Sequence, residues 1–296
     1  MDTTIDLVGK PELSAFPDQP PTEGLSLIFL HHSCGGQLLA DPGMEQGENC
    51  IYQTSPNGGG LRVRLTQSGY EVHEASYGSR IGQNTDHFDW WPKFRDQMSD
   101  ILACRHQDER LEPGVRNQIV VFKSCFPNNW FESEGLPPGN PRGPDLTVNN
   151  ARAAYGALLE EFRKQPKVLF VCVTPPPMAF KPASQPLWKQ FARQLLGRGH
   201  PGIRAAALAR EFNNWLKSPQ GWLRDYPLTN VAVFDYYDLL TDQGKSNFSA
   251  YPSGDGSDSH PSAQGNQKAA EAFVPFLNRA VRRAELARQP STPTHE

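Results

Sequence analysis

The chain has little that would tie it to nucleic acid, a membrane or a metal. Of its 296 residues, 29 are Lys or Arg and 32 are Asp or Glu, so the net charge is −3 with His neutral, and no basic block stands out. A nucleic-acid binder needs a positive surface to neutralise phosphates, and that class of partner is not expected. Apolar runs are short, the longest being segments such as LSLIFL and KVLFVCV, far below the roughly 18 residues that a membrane helix requires. The five cysteines, Cys34, Cys50, Cys104, Cys125 and Cys172, include no CxxC pair. Neither a zinc knuckle nor a dense disulfide scaffold is therefore expected. The N-terminus lacks the basic start and apolar stretch of a secretory leader. As it stands the chain reads as cytoplasmic, or as secreted if a leader has been removed.

Proline is plentiful. Its 27 residues are close to twice the usual share of about 5%, which predicts many loops and sharply ended helices. With 38% hydrophobic residues, the chain is long enough to bury one sizeable core.

Five segments read as strands: residues 25–30, 70–75, 117–122, 167–173 and 230–237. LSLIFL and KVLFVCV are continuous apolar runs, as in strands covered on both faces. Helical patterns alternate with them at residues 61–67, 94–104, 149–164, 204–217 and 262–287. Alternation of this kind predicts an α/β layered fold with a mostly parallel sheet. No break in composition marks a second domain, so residues 24–288 are expected to form one domain between a poorly packed lead, 1–23, and a tail, 289–296.

Ligands of open α/β sheets bind beyond the carboxyl ends of the strands. The first strand runs into His31, His32, Ser33, Cys34, Gly35 and Gly36, which puts a serine at a strand-to-helix turn. The second ends in Ser76, Tyr77, Gly78, Ser79, Arg80, Ile81 and Gly82, and its glycines offer backbone N–H groups to an oxyanion. The third delivers Lys123, Ser124, Cys125, Asn128 and Asn129 to the same rim. Near the C-terminus Asp255, Asp258 and His260 precede a helix expected to begin at Pro261 or Ser262. A His oriented by a carboxylate is what a serine hydroxyl needs to lose its proton in acyl transfer.

These blocks, in this order, resemble the SGNH or GDSL-like hydrolase superfamily over most of residues 25–280. The resemblance implies a flavodoxin-like three-layer sandwich with a mostly parallel five-stranded sheet. It also implies hydrolysis of carboxylic esters through an acyl-enzyme, without a cofactor. Ser33 takes the nucleophile position and His260 the base. Gly78, or else Gly82, supplies an oxyanion N–H beside that of Ser33, and Asn128, or else Asn129, supplies a side-chain donor. The family's G-x-N-D spelling is replaced by KSCFPNN, and Ser257 stands where an Asp usually lies three residues before the His. The acid is then Asp258, at two residues before, or Asp255, at five. Asp258 is preferred because the shorter separation fixes the pair with fewer loose torsions.

The substrate class implied is an acetyl or other short acyl group on carbohydrate, with a short-chain lipid or general ester as the alternative. His32, Trp90, Trp91 and Trp130 are candidate pocket residues, since aromatic side chains follow the glycine and asparagine rims. Two rivals remain: a binding module with impaired chemistry, suggested by the missing Asp, and a thiol enzyme using Cys34. Asp86, His87 and Asp89 lack the spacing of a metal site, and none is expected. Cys34 and Cys125 fall on neighbouring rims if the strand order is 2-1-3-4-5, and there they pair or merely pack.

Overall fold

The computed structural model describes residues 11–180 and 201–287; the expected tail and the first ten residues of the lead lie outside them. In chain order the elements are β1 (Leu25–Leu30), α1 (Ser33–Leu39), β2 (Asp41–Pro42), β3 (Gln46–Glu48), β4 (Ile51–Ser55), α2 (Leu61–Gln67), β5 (Tyr70–Ala75), α3 (Trp90–Leu102), β6 (Cys104–His106) and β7 (Glu109–Arg110). They continue with β8 (Ile119–Lys123), α4 (Val148–Arg163), β9 (Leu169–Val173), α5 (Pro201–Lys217), β10 (Val231–Phe234), α6 (Tyr236–Leu240), β11 (Pro252–Ser253), β12 (Asp258–Pro261) and α7 (Ala263–Arg283).

LSLIFL is apolar throughout because both faces of β1 are covered. Ile28 and Leu30 enter one core with Phe94, Leu158 and Phe212 of α3, α4 and α5, while Leu27 and Phe29 enter a second with Leu38, Leu65 and Phe273 of α1, α2 and α7. The result is a three-layer α/β fold. Its central sheet has the order β10-β9-β8-β1-β5-β6-β7 and is parallel except for the β6–β7 pair. The five expected strands keep the order 2-1-3-4-5, but the sheet has seven strands and not five. The two extra ones are the short edge hairpin at Cys104–Arg110, where Cys104 is buried but the other strand residues are exposed and polar, too few to show an apolar period. For the same reason the helix expected to reach residue 104 stops at Leu102.

After β1 the chain crosses to the α1 face, and after β8 to the opposite, α4 face. Neighbouring parallel strands whose connections diverge leave a crevice at their carboxyl ends. Ser33 and the residues after Lys123 therefore face one opening.

The glycines of SCGG let α1 start directly from β1. A Cβ on Gly35 would lie 2.3 Å from the His31 Cβ, and one on Gly36 would lie 2.0 Å from the Cys50 carbonyl oxygen. The second neighbour is backbone and cannot swing away. Gly36→Ala is expected to destabilise the fold by about 2–3 kcal/mol, as overpacking does, read as a lowered urea midpoint at unchanged slope.

The lead, expected to be poorly packed, is fastened from Leu13 to Pro20. The nearly buried Arg282 guanidinium donates to the carbonyls of Gln19 (2.6 Å) and Pro20 (3.1 Å), and Asn278 donates to that of Asp18 (2.7 Å). A proline-rich extended segment has free carbonyls, and a buried guanidinium needs acceptors. No helix among the described residues is long and apolar enough to cross a membrane.

Candidate active site

His260 sits on β12 of a small antiparallel hairpin, immediately ahead of α7. Its Nε2 lies 3.0 Å from the Ser33 Oγ, at the first residue of α1, although 227 residues separate the two. On its other side Nδ1 lies 2.8 Å from Asp258 Oδ1. With the carboxylate accepting from Nδ1–H, Nε2 is left with the lone pair that faces the serine hydroxyl. The Phe126 ring meets the imidazole edge-on at 5.0 Å between centroids.

Asp258 is fixed by more than the imidazole. Its Oδ1 also accepts the His260 backbone N–H (3.0 Å), and its Oδ2 accepts the Ser253 hydroxyl (3.0 Å). Partial desolvation pushes this carboxyl up, but the hydrogen bonds from His260 and Ser253 outweigh it and hold the group below the usual carboxylate range. Asp255 is turned elsewhere. Its Oδ1 accepts the Ser257 N–H (3.0 Å) across a tight turn that Gly254 (φ 62°) and Gly256 (φ 92°) permit.

At the β5 exit, Gly78 has φ 83°, and its N–H makes no hydrogen bond among the described residues. The N–H of Gly82 is committed to the Ser79 hydroxyl (3.2 Å), and its carbonyl accepts from His32 Nε2 (3.0 Å). A Cβ on Gly82 would meet the Ser76 carbonyl oxygen at 2.0 Å, so this glycine serves close backbone packing.

At the β8 exit the side chain brought beside Ser33 is that of Cys125, with Sγ 4.0 Å from Oγ. Asn128 is used differently. Its Oδ1 accepts the His87 N–H and its Nδ2 donates to Asp86, both at 2.7 Å, which fastens the segment leading into α3. It lines a separate cleft with Phe88, Pro144 and Leu146. Asn129 is fully buried and donates to the Pro175 and Pro176 carbonyls. Asn128→Ala is expected to change the acylation rate of Ser33 by no more than about threefold, against the 10²- to 10³-fold loss that follows removal of an oxyanion donor. Single-turnover kinetics reads the difference.

Of the candidate pocket residues, only Trp130 lies open, 51% exposed. Trp90 is fully buried, with Nε1–H donating to the Ser124 hydroxyl (2.8 Å), and is core instead. Trp91 packs on the same core beneath the guanidinium groups of Arg95 and Arg142. His32 is held between Gly82 and the Thr85 hydroxyl (3.0 Å) and stacks on Tyr77 at 3.6 Å, so it supports the rim from below. Desolvation lowers its pKa, and the donor to Nδ1 with the acceptor at Nε2 fits a neutral ring.

Beside His260 opens an apolar cavity of about 290 Å³, walled by Phe126, Trp130, Met178, Phe180, Phe248 and Ser259, the residue before His260. Phe248 lies about 70 residues from Met178 and Phe180, and neither segment carries a catalytic motif. Cys34 and Cys125 are both free thiols. His87 is enclosed by Phe131, Tyr155 and Phe212, and burial pushes it down to about 3. Asp89 accepts the Asp86 N–H (2.9 Å) at the start of α3. No group of three or more His, Cys, Asp or Glu side chains among the described residues is arranged to hold a metal ion.

No family model and no curated protein matches the chain. Among solved structures it is similar to a protein of Bacteroides fragilis called an acylhydrolase, at 13% identity over 94% of this chain and 99% of that one, with a TM-score of 0.43. It is also similar to a catalytic mutant of an acetylxylan esterase from Geobacillus stearothermophilus (12%, 91% and 98%, TM-score 0.40). A family two carbohydrate esterase from Cellvibrio japonicus is a third (13%, 89% and 63%, TM-score 0.37). Chains this distant share at most a fold, and activity is a property of the site.

Proposed function

We propose that the protein is a serine esterase that hydrolyses carboxylic esters through an acyl-enzyme. The observation that carries this reading is the continuous relay Ser33 Oγ, His260 Nε2, His260 Nδ1, Asp258 Oδ1, with links of 3.0 and 2.8 Å. Ser33 Oγ attacks the ester carbonyl as His260 takes its proton, and Asp258 holds the imidazole in the tautomer that can accept it. The developing oxyanion meets the N–H groups of Ser33 and Gly78; Asn128 would have to release Asp86 to join them. His260 then returns the proton to the leaving alcohol, and water activated by the same imidazole clears the acyl group.

Neither rival fits as well. The binding-module reading rested on the missing Asp three residues before His260, and Asp258 fills that role from two residues before. Cys34 is fully buried, and its hydrogen bond with Cys125 and desolvation both push its thiol up, which makes it a poor nucleophile.

A short acyl group on carbohydrate is the substrate class proposed first, with Trp130 as an open aromatic face for a sugar ring. The cavity wall of Phe126, Met178, Phe180 and Phe248 favours a second reading, an ester with an apolar acyl or alcohol part. A fluorophosphonate probe followed by peptide mapping tests the mechanism. The adduct is expected on Ser33, and an unlabelled protein or an adduct on another serine would overturn it. Acetylated sugars that outrun p-nitrophenyl acetate support the first substrate class, and p-nitrophenyl rates that climb beyond acetate support the second.

A further inference from the structure

Lys123, the last residue of β8, is 0% exposed, yet no carboxylate pairs with it among the described residues. Its ammonium donates to the Ser124 carbonyl (3.1 Å) and to Cys125 Sγ (3.5 Å). A buried ammonium without an anion is unfavourable, and an anion in contact removes most of that penalty. The acidic group within its reach is the Cys125 thiol.

Cys125 is only half-buried, whereas Cys34, Cys104 and Cys172 are buried. Hydrogen bonding from the Cys34 thiol, the nearby Lys123 charge and the Cys34 backbone N–H together outweigh desolvation and hold the Cys125 thiol well below its usual range. Cys50, the other half-buried cysteine, is pushed up by desolvation. With Lys123 behind it, the thiolate adds no net charge to a crevice that must accept an oxyanion.

We propose that Cys125 is a modification site set into the catalytic crevice: a thiolate paired with buried Lys123, whose reaction with a peroxide or a small soft electrophile blocks the space in front of Ser33. The blocking rests on the reading of Ser33 as nucleophile; the thiolate does not. With hydrogen peroxide, the sulfur attacks one oxygen, an S–O bond forms as the O–O bond breaks, and hydroxide leaves and is neutralised by a buffer acid. The sulfur gives up two electrons and the peroxide gains them, leaving a sulfenic acid. Its oxygen stands in the 4.0 Å between Sγ and Oγ, where the ester carbonyl must approach. A monothiol reverses this in two steps: it displaces water to form a mixed disulfide, and a second monothiol then breaks that bond and releases the thiolate.

Peptide mapping of the full chain after brief treatment with iodoacetamide tests the thiolate. At pH 6.5 Cys125 is expected to be alkylated at least about tenfold faster than Cys50, with the ratio shrinking as the pH is raised. Equal rates at the two cysteines would overturn the proposal. The blocking is read by fluorophosphonate labelling of Ser33 before and after peroxide. Wild type is expected to lose at least about tenfold and to recover with dithiothreitol, while Cys125→Ser keeps its labelling ratio near one whatever its starting rate. An equal loss in Cys125→Ser would also overturn it. If Ser33 is unlabelled before peroxide is added, the esterase reading fails, and the alkylation contrast alone decides the thiolate.

Discussion

Replacing His260 with alanine is expected to lower kcat for a p-nitrophenyl ester by at least about 10⁴-fold, with KM little changed. With Cys125 Sγ farther off at 4.0 Å, the imidazole is the general base within direct hydrogen-bond distance of the Ser33 hydroxyl, at 3.0 Å. Without it a serine at neutral pH is a weak nucleophile. The residual rate would come from binding and the oxyanion donors alone, which is why the loss is large and finite. Asp258 is held below the usual carboxylate range by the donors around it, so at neutral pH it is the charged form that orients the imidazole. Activity retained in His260→Ala would remove His260 from the mechanism.

Asp258→Asn is expected to lower kcat by about 10²- to 10⁴-fold, and Asp255→Asn by less than about threefold. Loss of the orienting carboxylate in a buried serine triad costs near the upper figure. Here the Asp258 side chain is 48% exposed, and water can partly replace it, which widens the range downward. The asparagine can present its amide N–H to Nδ1 and select the wrong tautomer, so the loss falls on kcat rather than KM. Asp255 holds only the turn at Ser257, so its change is expected to show in loop stability and not in turnover. Circular dichroism of both variants separates a chemical loss from a folding one. A large loss in Asp255→Asn alone would reassign the acid.

The layered core was readable because its signal is local. LSLIFL and KVLFVCV are covered on both faces and show it as unbroken apolar runs, and helices such as Leu61–Gln67 announce themselves by period. The β6–β7 hairpin was not readable, because an exposed edge of a few charged residues has no apolar face to declare. The strand-end rule also brought Ser33, Gly78 and the β8 exit to one rim. It did not reveal which residue of KSCFPNN turns toward Ser33. That depends on the turn of 3₁₀ helix at Phe126–Asn129, which directs Asn128 to Asp86 and leaves Cys125 beside the nucleophile. Trp90 misled for a related reason: an indole one turn past a rim is as readily sealed in the core as opened to a pocket, and Ser124 supplied the acceptor that let it be sealed. The cavity wall was invisible because Phe248 meets Met178 and Phe180 only after folding.

The β11–β12 hairpin gives the site an uneven construction. Asp258 and His260, the proposed acid and base, stand two residues apart on one strand and are joined through both backbone and side chain, so their mutual alignment is settled within a short peptide before the rest of the domain is considered. Ser33, the proposed nucleophile, is anchored on the opposite principle, just past a central strand paired on both sides and buried on both faces. The relay therefore has a single seam, between His260 and Ser33, across which tertiary structure must bring two parts into register. Insertions between α6 and β11, or a retailored loop tip, could accumulate over generations without touching the acid–base alignment. The requirement that lineage drift cannot relax is the docking of one small hairpin over the start of α1.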